Sequence, residues 1–372
     1  MARIAFLDRV PWDYRADTPD RRPLGGSQSA LCHLARALAA LGHEVRMVTM
    51  TRSPGRIDGV DCLDAAAGGF ALFQGADAAI VLNDPDPAVA HALRAALGPQ
   101  GLLALWTQHD VDQPAMAAFA APEVRALWDR VVFVSDWQRR AYRRSFGPGP
   151  VRDIVLGNAM APAFQRLFED DDDVLAAKSG PPTLVYASTP FRGLDVLLEA
   201  FALIRAELPQ ARLLVHSSLG VYQVAEADDA YRPLYERCRA MPGVEHRGSV
   251  SQPDLARALR GALCFAYPST FPETFCTVAL EAMAAGCLAV VGDLGALAET
   301  TRGLAELVPV AADPAGYARA FAARTVRRLA APADLAGRLD RQRRLLAATA
   351  TWPVRARAWS RWIEADLAER RR

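Results

Sequence analysis

Short runs of aliphatic and β-branched residues alternate with helix-length stretches along this chain, and they do so in two successive series. Alternation of that kind commits a chain to parallel sheets covered by helices, because each strand must return over a helix to lie beside its predecessor. In the first series the strand candidates are residues 3–7, 44–50, 78–82, 101–107 and 131–135. A helix opens near Ser27, a candidate N-cap, and stops at Gly42. The second series has a strand at 183–188, a helix at 194–208 and strands near 212–217, 244–247, 263–267 and 287–291. At 372 residues the chain exceeds one ordinary core. The expectation is therefore an α/β protein of two similar, doubly wound parallel-sheet domains, with ligands at the C-terminal ends of the strands. Residues 161–182, with an acid run at 169–173 and a Gly-Pro-Pro stop, read as the connection between them. The last segment places Trp352, Ala356, Trp359, Trp362 and Ile363 at helical spacing, an aromatic face that should dock on a domain.

Chemistry concentrates in residues 271–286, FPETFCTVALEAMAAG. Glu273 stands in a loop after an apolar run, and Glu281 stands on the helix into which that loop opens. A carboxylate within so apolar a helix is costly unless polar partners reach it. The helix N-terminus between the two glutamates offers free N–H groups and the positive end of a dipole. Two acceptors and an anion cradle suit a ligand with hydroxyls and phosphate, such as a nucleotide sugar. Gly25 and Gly26 precede the first long helix, where a backbone can approach a ligand closely. They form neither a dinucleotide fingerprint nor a P-loop. Ser188 and Arg192 follow the first strand of the second series, and a guanidinium there can grip a diphosphate. His109 follows the strand at 101–107. Asp110 and Asp112 repeat the D-x-D spacing of metal–diphosphate sites, as do Asp84 and Asp86. No nucleophile–base pair stands out, so the chemistry should be displacement promoted by positioning and electrostatics.

Composition narrows the alternatives. A net charge of +1 gives no general attraction to nucleic acid. Lys178 is the single lysine, so sites that commonly use lysine must use arginine here. The six cysteines form no C-x-x-C pair and read as small hydrophobes of a reducing cytosol. The first residues run straight into a strand with no signal peptide, and no apolar stretch reaches the roughly 20 residues of a membrane span. The expected location is cytoplasmic. The cluster Arg139, Arg140, Arg143 and Arg144 is either a solvated face or a peripheral contact with the inner face of an anionic membrane.

Over nearly its whole length the chain resembles the retaining GT-B glycosyltransferases of family 4, the group 1 glycosyl transferases. The resemblance rests first on the E-x7-E pair, Glu273 and Glu281, followed by Ala-Met-Ala-Ala-Gly and an apolar strand. In order it adds Gly25-Gly26, His109, FVSDWQRR from Phe133, Gly157-Asn158, the run Arg192–Phe201 and Gly248-Ser249-Val250. It implies a GT-B fold of two facing Rossmann-like domains: residues 1–164 on the acceptor side, 165–350 for the nucleotide-sugar donor, and a C-terminal helix, 351–372, crossing back to the first. It implies transfer of a hexose-type sugar from a nucleoside diphosphate to a hydroxyl of a glycan, lipid-linked or small-molecule acceptor, as in bacterial polysaccharide biosynthesis, without a metal. Glu273 would hold hydroxyls of the donor sugar, and backbone N–H groups at Phe275, Cys276 and Thr277 would bind sugar and diphosphate. Glu281 would accept from the ribose. Gly25 and Gly26 would let the first domain approach, and His109 would lie near the transferred sugar.

The chain departs from the family pattern in three places. Ala187-Ser188 and Arg192-Gly193 stand where Gly-Arg and Lys-Gly are usual, leaving Arg192 as the sure cation. Cys276 replaces a glycine, and Gln28 stands where many members have glutamate. Three other readings stay open: a sugar-nucleotide 2-epimerase of similar fold, a metal-dependent GT-A transferase using Asp110 and Asp112, and a non-catalytic nucleotide- or glycan-binding subunit.

Overall fold

The computed structural model describes all residues except 148, 150–151, 170–171 and 331–334. The described chain forms two compact units. One comprises Met1–Pro19, Gly26–Ala159 and Trp352–Arg372; the other comprises Asp20–Gly25 and Met160–Thr351.

The first unit is built on eight strands: β1 Arg3–Leu7, β2 Glu44–Thr49, β3 Gly55–Ile57, β4 Val60–Asp64, β5 Ala78–Leu82, β6 Leu102–Thr107, β7 Arg130–Phe133 and β8 Arg152–Val155. They lie in the order β3-β4-β2-β1-β5-β6-β7-β8. All pairs are parallel except β3 with β4. The strands β5 (AAIVL) and β6 (LLALWT) are buried at every residue, as a parallel sheet covered on both faces requires. The antiparallel edge was not foreseen. It turns on Asp58-Gly59, both with positive φ (47° and 83°), the Asp-Gly signal of a tight hairpin. The helix Trp352–Arg370 belongs to this unit. It sets Trp359 edge-on to Trp106 of β6 at 5.1 Å and pairs buried Asp366 with Arg130 of β7 at 2.5 Å.

The second unit has six strands: β9 Thr183–Ala187, β10 Arg212–His216, β11 Val244–His246, β12 Cys264–Tyr267, β13 Leu288–Asp293 and β14 Glu306–Pro309. Their order is β11-β10-β9-β12-β13-β14, all parallel. This is the doubly wound order in which the winding reverses between the first and fourth strands, here β9 and β12. The connecting stretch 161–182 is packed into this unit, with Ala161, Phe164, Phe168 and Val174 buried in its core. Of its acid run, Asp170 and Asp171 lie outside the described residues, and Asp173 accepts from the N–H groups of Leu175 and Ala176. No disulfide joins the six cysteines, all of which are buried.

Candidate functional site

The reversal of winding places the β9 and β12 loops side by side, and their contact is tight. Gly193 has φ +103°, and a Cβ there would sit 2.1 Å from the Pro268 carbonyl oxygen. Just before it, Arg192 donates through Nη1 to Oε1 of Glu273 at 2.7 Å. The Tyr267 hydroxyl, at the end of β12, donates to the same oxygen and lies 3.4 Å from the Ser188 hydroxyl. The Arg192 guanidinium also lies over the rings of Phe271, at 4.6 Å, and Phe191, at 5.6 Å. Burial opposes its charge, but the Glu273 carboxylate outweighs burial and holds it firmly protonated. The backbone of Glu273 is clasped from the loop after β13. Its carbonyl accepts from Ala296 N–H at 2.6 Å, and a Cβ on Gly295 (φ +65°) would lie 2.4 Å from its nitrogen.

Four residues on, the helix Thr277–Ala284 begins with Cys276 at its N-cap and no side chain capping it. Phe275, Cys276 and Thr277 thus stand where a helix presents its first N–H groups. The Cys276 side chain is buried, and burial raises its thiol pKa well above the usual value, so it stays neutral. Glu281 lies one turn into the helix and is 3% exposed. Its Oε1 accepts from Ala161 N–H at 3.1 Å and lies 3.5 Å from the Gln252 amide nitrogen. Burial pushes its pKa up to about 7, only partly offset by the Ala161 N–H. The second unit therefore gathers Ser188, Arg192, Glu273, Phe275, Cys276, Thr277 and Glu281 around one reversal of winding.

Tyr267, Gly295, Gln252 and the Ala161 N–H were not singled out from sequence. Tyr267 ends an apolar strand, which was a usable signal; the others act through contacts distant in the chain. The reverse holds for Lys178. Its ammonium is buried and donates to the carbonyls of Leu259, Arg260, Ala262 and Ala285 at 2.8–3.3 Å, so it serves the framework.

The other candidates lie elsewhere. Gly25 ends the short segment grouped with the second unit, and Gly26 opens the helix Gly26–Ala40 of the first. His109 follows β6 in the first unit, where its carbonyl accepts from Gln138 at 2.8 Å and from Tyr142 at 3.0 Å. The Asp110 carboxylate accepts from Val111 N–H at 2.8 Å, and burial raises its pKa. Asp84 and Asp86 pair with Arg9 at 3.0 and 3.3 Å, and Asp86 also caps the helix Pro87–Leu97. Among the described residues no group of three or more His, Cys, Asp or Glu is arranged to hold a metal ion. In the arginine cluster, Arg139 is paired with Asp136 and Arg143 with Asp153, while Arg140 and Arg144 are exposed. No described helix is long and apolar enough to cross a membrane.

Residues 181–327, inside the second unit, match the family model described as glycosyl transferases group 1. No curated protein matches the chain. Several solved structures share the fold over nearly its full length. Sucrose-phosphate synthase from Thermosynechococcus elongatus aligns with a TM-score of 0.73 at 21% identity, covering 99% of this chain and 100% of that one. WaaG, a glycosyltransferase involved in lipopolysaccharide biosynthesis, aligns at 0.68 and 15%, covering 95% and 98%. Anabaena Alr3699/HepE, solved in complex with UDP and glucose, aligns at 0.68 and 14%, covering 98% and 100%. The fold is that of the GT-B glycosyltransferases.

Proposed function

We propose that this chain is a retaining, metal-independent glycosyltransferase of the family 4 type, moving a hexose-type sugar from a nucleoside diphosphate to an acceptor hydroxyl. One observation carries the reading. Where the winding of the six-stranded sheet reverses, a carboxylate held by a cation, Glu273 with Arg192 at 2.7 Å, stands four residues before an uncapped helix N-terminus. The group 1 match over that region and the neighbour solved with UDP and glucose support the donor class.

In this reading the departing diphosphate is stabilised by Arg192 and by the N–H groups at 275–277, charges and dipoles already in place before reaction. Glu273 accepts from sugar hydroxyls and Glu281 from the ribose. Without an enzymic nucleophile, the acceptor oxygen attacks the anomeric carbon on the face the diphosphate leaves. The C–O bond to phosphate breaks as the new glycosidic bond forms, and the acceptor proton passes to the leaving phosphate oxygen. The acceptor side is assigned to the strand ends of the first unit, with His109.

The test is transfer from a panel of nucleoside-diphosphate sugars to a broad set of acceptors, with and without EDTA. NMR of the product reports the anomeric configuration. Retained configuration and insensitivity to EDTA are expected. Glu273→Ala should lower turnover more than donor affinity, and Glu281→Ala should do the reverse. Wild-type kinetics in both variants would overturn the site assignment.

A further inference from the structure

Three buried polar side chains at the C-terminal ends of β9 and β10 make no hydrogen bond with a described residue: Thr189 through Oγ1, His216 through both ring nitrogens and Ser217 through Oγ. Thr189 shares its loop with Ser188 and Arg192. His216 ends β10 and lies in register with Ala187, the end of β9. Buried polar atoms in this condition are costly and uncommon. Loose packing does not account for them, because the surroundings are stitched together. Ser218 Oγ donates to Ser249 Oγ at 2.8 Å, His246 Nε2 donates to the Ser217 carbonyl at 2.8 Å, and His246 stacks on Tyr235 at 4.6 Å.

The chemistry of the three is uncharged. Burial, and then Arg247, lower the His216 pKa to about 4, so the ring is neutral at ordinary pH. The Gly248 backbone opposes this in part, without the geometry of a hydrogen bond. A neutral imidazole offers one donor and one acceptor, and each hydroxyl offers both. Such a set suits hydroxyl or imide groups; the phosphate is matched by Arg192, which shares the β9 loop with Thr189.

These atoms are closed off from solvent, and the segment that leaves β10 is tied together by one buried carboxylate. Asp229, buried, accepts from the N–H groups of Leu219 and Tyr231 and from the Tyr235 hydroxyl, each at 2.9 Å. Residues 219–231 are thereby closed into a compact Ω-loop. Its Tyr231 ring lies 6.2 Å from that of Phe191, and its Tyr222 acts electrostatically on Arg192, so the loop borders the proposed diphosphate cation.

We propose that Thr189, His216 and Ser217 form a specificity set that reads an uncharged hydroxyl or imide group of the donor, engaged when the 219–231 loop shifts. The proposal rests on the donor reading above. A nucleotide sugar carries such groups on its nucleoside and on its sugar. His216→Phe keeps an aromatic ring of similar size and removes both hydrogen-bonding atoms. The probes are UDP, GDP, UDP-glucose and GDP-mannose, each titrated against the full chain with thermal melting alongside. Without nucleotide the variant should melt no lower than wild type, and its nucleotide affinity should fall about tenfold or more. Equal loss for diphosphate and sugar nucleotide places the set on the nucleoside; loss for the sugar nucleotide alone places it on the sugar. Thr189→Val, read on the same probes, decides the matter if His216→Phe does not fold. Unchanged affinity in a folded variant overturns the specificity set and leaves the donor reading standing. A wild type that binds none of the four probes, nor any other donor of the panel above, overturns the donor reading, and this proposal with it.

Discussion

Eight positions separate Glu273 from Glu281, yet their electrostatic surroundings differ. Glu273 has a guanidinium and a phenol on one oxygen, whereas Glu281 has a single backbone N–H within 3.1 Å and an amide at 3.5 Å. That difference gives a pH dependence with a definite sign. The Glu281 pKa is raised from 4.5 to about 7 on folding. Its contribution to stability is therefore fully present below about pH 4.5 and is lost as pH rises through about 7, a change of roughly 3 kcal/mol. Glu281→Gln removes this dependence. Relative to wild type it should gain roughly 2–3 kcal/mol between pH 5 and pH 8 in denaturant titrations without nucleotide, and a gap that stays constant with pH would refute the assignment. Gln28 shows how a departure from a family pattern acquires a local reason. Its amide donates at 3.0 Å to the buried Asp8 carboxylate, which also takes the Tyr14 hydroxyl at 2.6 Å. A glutamate in that place would set two carboxylates against each other.

Among the elements, Lys178 explains why one lysine stands in a chain that otherwise uses arginine. It closes the C-terminal carbonyls of the helix Gln252–Gly261 and of the helix Thr277–Ala284, where the dipoles favour a cation. A compact ammonium can serve carbonyls converging from several directions; a planar guanidinium is too wide. Lys178→Met should cost roughly 2–4 kcal/mol, since it strands buried carbonyls. Lys178→Arg should also destabilise despite keeping the charge, and equal melting temperatures for Lys178→Arg and wild type would contradict this account. Gly193 marks a close approach of the two loops that carry the site. Gly193→Ala must relieve both a positive φ and a 2.1 Å contact with Pro268. We expect a loss of at least about 2 kcal/mol and a separation of Arg192 from Glu273, read as lost donor binding beyond the fall in melting temperature. The four unforeseen strands, β3, β4, β8 and β14, have simple reasons. The strands β8 (RDIV) and β14 (ELVP) are short, and each mixes charge with only two or three apolar residues, so neither shows a clear period. The edge hairpin announced itself by Asp58-Gly59, a turn signal that a search for buried strands passes over.

At the scale of the molecule, the end of the chain is part of the first unit's core. Trp359 is fully buried against Trp106 and contacts Trp362 at 5.4 Å. Trp359→Ala should cost about 3–5 kcal/mol, measured by chemical denaturation, and a loss under 1 kcal/mol would mean that the helix is only loosely attached. The sequence by itself determined the class of fold, because periodicity is local: short, nearly continuous apolar runs such as β5 and β6, alternating with helix-length stretches, fit a parallel sheet covered on both faces. It also exposed Glu273 and Glu281, whose residue type and spacing can be read without knowing their neighbours. Only the tertiary structure decided what surrounds them. The order β11-β10-β9-β12-β13-β14 brings Arg192 to a glutamate 81 positions away, Ala161 to a helix 120 positions away, and Gly295 under the Glu273 backbone. The same order sets His216 beside β9 and leaves its ring without a hydrogen-bond partner among the described residues. Those partnerships follow from strand order and loop contact between distant segments, and no local pattern of residues encodes either one.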